Sequence, residues 1–464
     1  MVSVDHAAAA ATPVESLEDR LQKAGNAVRM LRGNPARHNP IWYPPEWTTW
    51  FEEQIGWQQS AVLYDQSHHM PEVRFSGPDV KRLLSDTGVN SPANLGRNRA
   101  KQFVACGHDG RFIGDAILFG LEQDVFTLVG GTMVANWVEF RAKQDGYDVE
   151  ISRDAPTLFN RTGKRWNWRY QLNGPRTQDI VSKAADGPIE HIKFFRIGEF
   201  QIAGTPVRAL NHTMSGTPGG DYTGLELWGP AEHAQRVLDV LMRVGAEFGM
   251  RRGGSLSYLS AGIEGGWIPV PLPAVYTQPE MKSYREYLPG TGMESVLPLE
   301  GSFVTDDISD YYHYPWDLGY GSMVKFDHDF VGRSALEAAT SAPRRRKVWL
   351  SWNSEDVTRV MSESLFGDGE VPRIISLPNT APPTPRYDAV LVGDRVIGTS
   401  SRGGYTANIR RMASLAVVDE ADAQDGREVG VLWGEPEDEQ DRPFIGPAHV
   451  QTTIRATIST RPLI

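Results

Sequence analysis

Leu17, Leu21, Ala24, Val28 and Leu31 recur at helical spacing through SLEDRLQKAGNAVRMLRG, which predicts one helix ended by Gly33, Asn34 and Pro35. The following HNPIWYPPEWTTWFEEQIGW is dense in Pro and Trp and reads as a rigid lid or entry loop. From Ser60 to Leu128, short strand patterns (SAVLYDQS, EVRFSG, FIGDAILFG, FTLVG) alternate with Gly, Asp and Pro turns and one helical piece, DVKRLLSD. Helices at ANWVEFRAKQDG and TQDIVSKAA then interleave with strands in YDVEISRDA, WNWRYQLNGP and KFFRIGEFQIAGTPVRALNH. Val237, Leu238, Leu241, Val244 and Phe248 mark the clearest helix of all. The order is α+β and not a βαβ repeat.

Near residue 342 the pattern changes. A charged stretch, SAPRRRKVWLSWN, precedes a run of strands at KVWLSWN, DAVLVGDRVIGTSS, ASLAVV, EVGVLWG and TIRATIST, so 342–464 reads as a small C-terminal β domain. Arg344 to Lys347 reads as a solvated linker, and EPEDEQDRP as a surface loop. Residues 1–16 are small and polar and are expected to be a disordered tail, which leaves 17–341 as the main body. No internal repeat is visible.

Composition narrows the class. The 464 residues are 40% hydrophobic and 23% charged, which suits a large buried core. A net charge of −11 argues against a nucleic-acid partner, because phosphate binding needs a basic stripe. The single cysteine, Cys106, allows neither an internal disulfide nor a cysteine zinc cage, and a reducing cytoplasm is the natural setting. No run approaches the roughly 20 apolar residues that span a bilayer, and the N-terminus lacks the basic and apolar regions of a secretory signal. The expectation is a cytoplasmic protein without a membrane partner.

Familiar catalytic signatures are missing: no G-x-G-x-x-G after a strand, no Walker lysine motif, no HExxH and no G-x-S-x-G. Five polar residues stand out instead. His68 and His69 follow a strand pattern, and side by side on a strand they would face opposite ways and could not share a metal, so no metal is expected. Asp115, within apolar FIGDAILFG, is either a buried carboxylate that must find a partner or shift its pKa, or a turn acid beside Gly114. Glu226 sits between Leu225 and Leu227, where a buried carboxylate can accept two parallel N–H donors from a heterocycle. Tyr258 is either a proton donor or a packed ring.

The segments YDQSHHM, FIGDAILFG, GDYTGLELWG, GWIPVPLPAVYT, GYGSMVKFDHDFVGRSALEA and VIGTSSRGGYT resemble, in order, the glycine-cleavage T-protein (aminomethyltransferase) superfamily over roughly residues 25–410. KQFVACGHDGRFIGDAILFG, HIKFFRIGEFQIAG, SYREYLPG and GSFVTDDISDYY are more similar still to its tetrahydrofolate-dependent aryl O-demethylases. The resemblance implies a cloverleaf of three subdomains around a central channel, with 17–341 forming a folate-binding region of two interleaved subdomains and a barrel-like C-terminal domain. It implies tetrahydrofolate as methyl acceptor, held by Glu226, Asp115, Trp267 and Tyr222, with Tyr258 and His69 catalytic. Gln66, His68, Trp42, Tyr43 and Gly131 match substrate-side positions, although Gly131 stands where the family has an arginine and Trp42/Tyr43 are shifted from a family tyrosine.

The implied reaction moves the methyl group of a methoxylated aromatic compound to the folate, and losing that arginine makes vanillate itself a poorer match than other methoxyarenes. Two alternatives stand beside it: a folate-dependent S- or N-demethylase, and a folate-binding protein without catalysis. Cys106 in FVACGHDG does not match the cysteine motif of the non-catalytic branch.

Overall fold

The computed structural model describes residues 15–34, 44–91, 94, 96–160, 162–213, 224–380, 385–442 and 445–463. Trp42, Tyr43 and Tyr222, and nearly all of the expected tail, lie outside the described residues. Three sheets organise the rest. The first has six strands in the order Arg251–Arg252, Val62–Asp65, Asn167–Asn173, Gly224–Pro230, Thr205–Asn211 and Ile197–Ile202. Its first pair is parallel and the others antiparallel.

Alternation explains its two faces. Trp168, Tyr170 and Leu172 point into a core completed by the helices Thr177–Ala184 and Ala234–Ala246. Val237, Leu238, Leu241 and Val244 are buried there at helical spacing, each worth about 1.5–3 kcal/mol. Arg169, Gln171 and Asn173 lie on the other face and are buried too, so this face is covered but polar.

The second sheet runs Arg99–Cys106, Phe112–Glu122, Val125–Gly130, Glu72–Ser76 and Glu150–Asp154, all antiparallel. Ala116 and Leu118 join the core beneath the helix Thr132–Gln144, while Asp115, Ile117 and Phe119 face the opposite way. Phe119 meets Trp228 of the first sheet edge to face at 5.0 Å, so the inward faces of the two sheets touch.

The third sheet is a closed antiparallel barrel: Arg345–Trp352, Arg411–Asp419, Arg395–Thr406, Asp388–Val392, Glu428–Trp433 and Thr452–Ser459. Closure removes free sheet edges. Its outer residues Trp349, Leu415 and Val417 pack with Val104 and Phe112 of the second sheet.

Several expectations are corrected. The predicted first helix is two, Leu17–Ala24 and Ala27–Arg32, because Gly25 takes a left-handed φ of 69° and Asn26 caps the second; both pack on one core, which preserved the apolar spacing. The second half of the Pro/Trp segment is a helix, Trp50–Gln59, N-capped by Thr49. Arg345 to Lys347 is not a solvated linker but the start of a barrel strand. Glu435 of the supposed surface loop is buried between Arg373 and Arg386, whose charges hold its carboxyl far below the usual range against the cost of burial. The helix Ser354–Phe366 was not foreseen. Among the described residues, no helix is long and apolar enough to cross a membrane.

Candidate active site

The strand Val62–Asp65 runs into a turn carrying Gln66, His68 and His69. The turn is pinned by the Asp65 carboxylate accepting from the Ser67 N–H at 3.0 Å and by Ser67 Oγ accepting from the Arg169 N–H at 2.9 Å. The two histidines are therefore on a turn, not on a strand as expected. They still diverge: His68 Nδ1 meets Thr157 Oγ1 at 2.9 Å, while His69 Nε2 meets the Tyr258 hydroxyl at 3.0 Å.

Tyr258 lies in the first turn of the helix Ser255–Gly265, which is clamped on two sides. From Trp50–Gln59, Glu53 accepts from the Gly254 N–H at 2.8 Å and from Ser257 Oγ at 2.6 Å, placing an anion at the positive helix end. Trp57 Nε1 donates to Glu264 at 2.6 Å. From the barrel, Trp349 Nε1 donates to the Ile263 carbonyl at 2.8 Å and Thr406 Oγ1 to Glu264 at 2.7 Å. The Tyr258 phenol accepts from Gln66 Nε2 at 3.2 Å, and its ring stands edge-on to Tyr64 at 5.3 Å. Burial pushes the phenol above its ordinary pKa, with Gln66 opposing. Burial, reinforced by Arg165 and His68, lowers His69 to about 3, so its imidazole is neutral at pH 7.

Across the first sheet, Tyr64, Gln171 and Glu226 stand in one row. Glu226 is fully enclosed. One oxygen accepts from Arg169 Nη1 and the other contacts His212 Nε2 at 2.8 Å. Arg169 also reaches Glu72 of the second sheet at 2.9 Å and lies over the rings of Phe119 and Trp228. Burial alone would raise Glu226, but the Arg169 charge and the His212 contact overcome it and hold the carboxyl at about 2.

Asp115 is enclosed as well but has neutral donors. Its Oδ2 accepts from Gln102 Nε2 at 2.5 Å, Tyr320 Oη at 3.0 Å and Trp267 Nε1 at 3.4 Å. Burial dominates and raises its pKa to about 6, partly offset by those hydrogen bonds and by Lys347. Lys347, itself lowered to about 8 by burial, donates to the Gly266 carbonyl at 2.5 Å. The turn-acid reading of Asp115 is thereby replaced by a mid-strand buried acid.

The structure joins Tyr258, His69 and Gln66 directly, links them through Tyr64 and Gln171 to Glu226, and joins Asp115 to Trp267 just beyond the Tyr258 helix. His68 turns away towards Thr157. Gly131 caps the helix Thr132–Gln144, and a Cβ there would come within 2.8 Å of the Asp115 carbonyl, so no larger side chain enters without a shift. Arg169, Gln171, His212, Gln102, Tyr320 and Lys347 escaped sequence reading. NWRYQLN did hold a signal, since its polar residues fall on every second position opposite aromatic ones.

A family model described as the GCVT N-terminal domain matches residues 18–270. Syringate O-demethylase from Sphingobium sp. (strain SYK-6) is 37% identical over 97% of this chain and 96% of its own. Sesamin methylene transferase from Sinomonas sp. is 29% identical over 78% of this chain and 79% of its own. An aminomethyltransferase from Streptomyces coelicolor is 27% identical over 82% and 84%. The crystal structure of glycine cleavage system aminomethyltransferase T from Bartonella henselae superposes with a TM-score of 0.59 over 96% of both chains at 18% identity, a likeness of fold. With the family model matching more than half of the residues and the Sphingobium protein alike from end to end, the chain belongs to the GCVT aminomethyltransferase family.

Proposed function

We propose that the protein is a tetrahydrofolate-dependent O-demethylase, which transfers the methyl group of a methoxylated aromatic compound to N5 of tetrahydrofolate and releases a phenol. Similarity to syringate O-demethylase over 97% of the chain supports the reaction class. The observation that carries the chemistry is the half-buried Tyr258 phenol, kept protonated and held between Gln66 and His69.

The donor set suits a folate. Gln171 Oε1 and His69 Nδ1 are buried without a protein partner among the described residues. Each Glu226 oxygen is engaged once, and a carboxylate offers about four acceptor positions. The polar sheet face thus presents acceptors suited to the N–H edge of a pterin. Glu226, Gln171, Asp115 and Trp267 would hold it, with Tyr222 a further candidate. When bound, tetrahydrofolate supplies the nitrogen nucleophile that takes the methyl group.

The protein supplies the proton and the alignment. As the methyl–oxygen bond breaks, the electron pair stays on the aryl oxygen, and Tyr258 Oη donates its proton there to give the phenol. A phenolate is a poor leaving group, and a general acid aimed at its oxygen is worth about 10²- to 10⁴-fold; burial keeps Tyr258 in the protonated form this needs. Gln66 fixes one lone pair of Tyr258 Oη by donating to it, and His69, neutral at pH 7, orients the hydroxyl without adding charge. Asp115, raised by burial to about 6, can hold or release a proton near neutrality at Oδ1, since Oδ2 accepts from Gln102, Tyr320 and Trp267. The lone, buried Cys106 suits a reducing cytoplasmic setting.

Anaerobic incubation of the purified chain with tetrahydrofolate and methoxybenzoates, guaiacols, methylenedioxyarenes, and methylated sulfur and nitrogen compounds tests the reading. Methylated folate, followed by mass, is expected from a methoxyarene. Folate binding without methyl transfer from any arene would overturn it.

A further inference from the structure

We propose that Arg402 receives the carboxylate of the aromatic substrate, so that this site takes methoxylated aromatic acids in preference to their neutral counterparts. The proposal rests on the demethylase reading above. Arg402 projects from the barrel strand Arg395–Thr406 towards the helix that carries Tyr258, where Nη2 donates to the Leu259 carbonyl. Its Nε is sealed from solvent and has no partner, and among the described residues no carboxylate forms an ion pair with it.

Arg402 is itself half-buried, as are Arg20 and Arg111, which likewise form no ion pair among the described residues, but the Arg402 Nε is enclosed. Each of the most deeply buried arginines has an anion: Arg32 has Glu439, Arg169 has Glu72 and Glu226, Arg285 has Glu18, Arg373 has Glu435, and Arg386 has Asp388. Enclosing part of a guanidinium without a counter-charge is costly, so an Nε with no partner among the described residues favours an anion brought by a ligand. Burial draws Arg402 down to about 10 and only the Tyr258 hydroxyl opposes this, which leaves the group charged at neutral pH.

Its position suits a substrate contact. Tyr258 and Gly262 are one helical turn apart on the same face, and the absent Gly262 side chain leaves Arg402 Nε and Nη2 3.9 Å from where its Cβ would be. The guanidinium therefore borders the face from which the proposed acid projects. Other cations nearby are committed: Arg169 to its two carboxylates, Arg165 to Asp154, and Lys347 to the Gly266 carbonyl. A planar guanidinium binds a carboxylate through paired hydrogen bonds, which would set the distance from acid group to methoxy oxygen.

The test uses the full chain as wild type, Arg402→Met and Arg402→Lys, each first checked for an unchanged melting temperature. Calorimetric titration with dimethoxybenzoate and its neutral carboxamide is expected to show the acid's Kd rising about 10- to 100-fold in Arg402→Met, and less in Arg402→Lys, which retains the charge. The carboxamide and tetrahydrofolate should move less than about threefold, a margin small against those charge-assisted bonds. In turnover the loss should fall on KM for the acid and not on kcat. Equal loss for acid and carboxamide, an unchanged acid Kd, or a weakened folate Kd in place of the acid's would each overturn the proposal, the last by assigning Arg402 to the folate's own carboxylates. Arg402-dependent binding of the acid by a wild-type chain that forms no methylated folate would instead reject the demethylase reading and leave the anion site standing.

Discussion

Glu226 and Asp115 are both enclosed carboxylates on inward sheet faces, yet one is held at about 2 and the other raised to about 6. Burial pushes both up. Glu226 meets the fixed charge of Arg169, which the second sheet shares through Glu72, whereas Asp115 meets the neutral donors Gln102, Tyr320 and Trp267. The counter-ion, and not the degree of enclosure, separates them. The first sheet therefore offers a permanent anion, and the second an acid that exchanges its proton near neutrality.

The largest test removes the counter-ion. Arg169→Met leaves Glu72 and Glu226 buried without a cation and should cost about 3–5 kcal/mol in urea unfolding, whereas Asp115→Asn should cost far less or stabilise. Similar losses at the two sites would break the comparison.

The pH dependence of stability should differ in sign. Asp115 is raised from 3.8 to about 6, so its contribution is greatest below about pH 4 and declines as pH rises through 6. Glu226 is lowered from 4.5 to about 2, so its contribution is present above about pH 4.5 and is lost as pH falls towards 2. Each effect is on the order of 3 kcal/mol taken alone. Urea midpoints across pH should lose the higher-pH decline in Asp115→Asn and the acid-side loss in Glu226→Gln; unchanged profiles would contradict the assignments. The smallest effect is Lys347→Met. Losing that charge should raise the Asp115 carboxyl further, by less than about one unit in carbon NMR titration, because Lys347 is a minor influence behind burial and hydrogen bonds. No movement would show that the Lys347 charge does not reach Asp115.

How much of this the sequence disclosed follows from what each feature depends on. Short apolar or alternating runs between turn residues predicted most strands of all three sheets, and apolar spacing predicted Ala234–Ala246, which buries one clean stripe. Ser354–Phe366 was missed since only Asp356 and Val360 are buried, too few to make a stripe. Tyr258, Glu226 and Asp115 were singled out as polar residues in apolar or glycine-rich settings. Arg169, His212, Tyr320 and Lys347 were not, because each acquires its partner only once the chain has folded. Lys347 was misread for a further reason: a short basic run looks solvated until the outer face of the barrel strand, which carries Lys347 and Trp349, is covered by the rest of the molecule.

The central claim is that Tyr258 protonates the departing oxygen. It is tested most directly by comparing Tyr258→Phe with wild type over methoxyarenes whose product phenols differ in acidity. The account predicts a loss of about 10²- to 10⁴-fold in kcat where the phenol is weakly acidic, shrinking steadily for nitro-substituted arenes that leave well as anions, with tetrahydrofolate affinity unchanged. A loss of the same size for every leaving group, or one matched by an equal loss of folate binding, would contradict it.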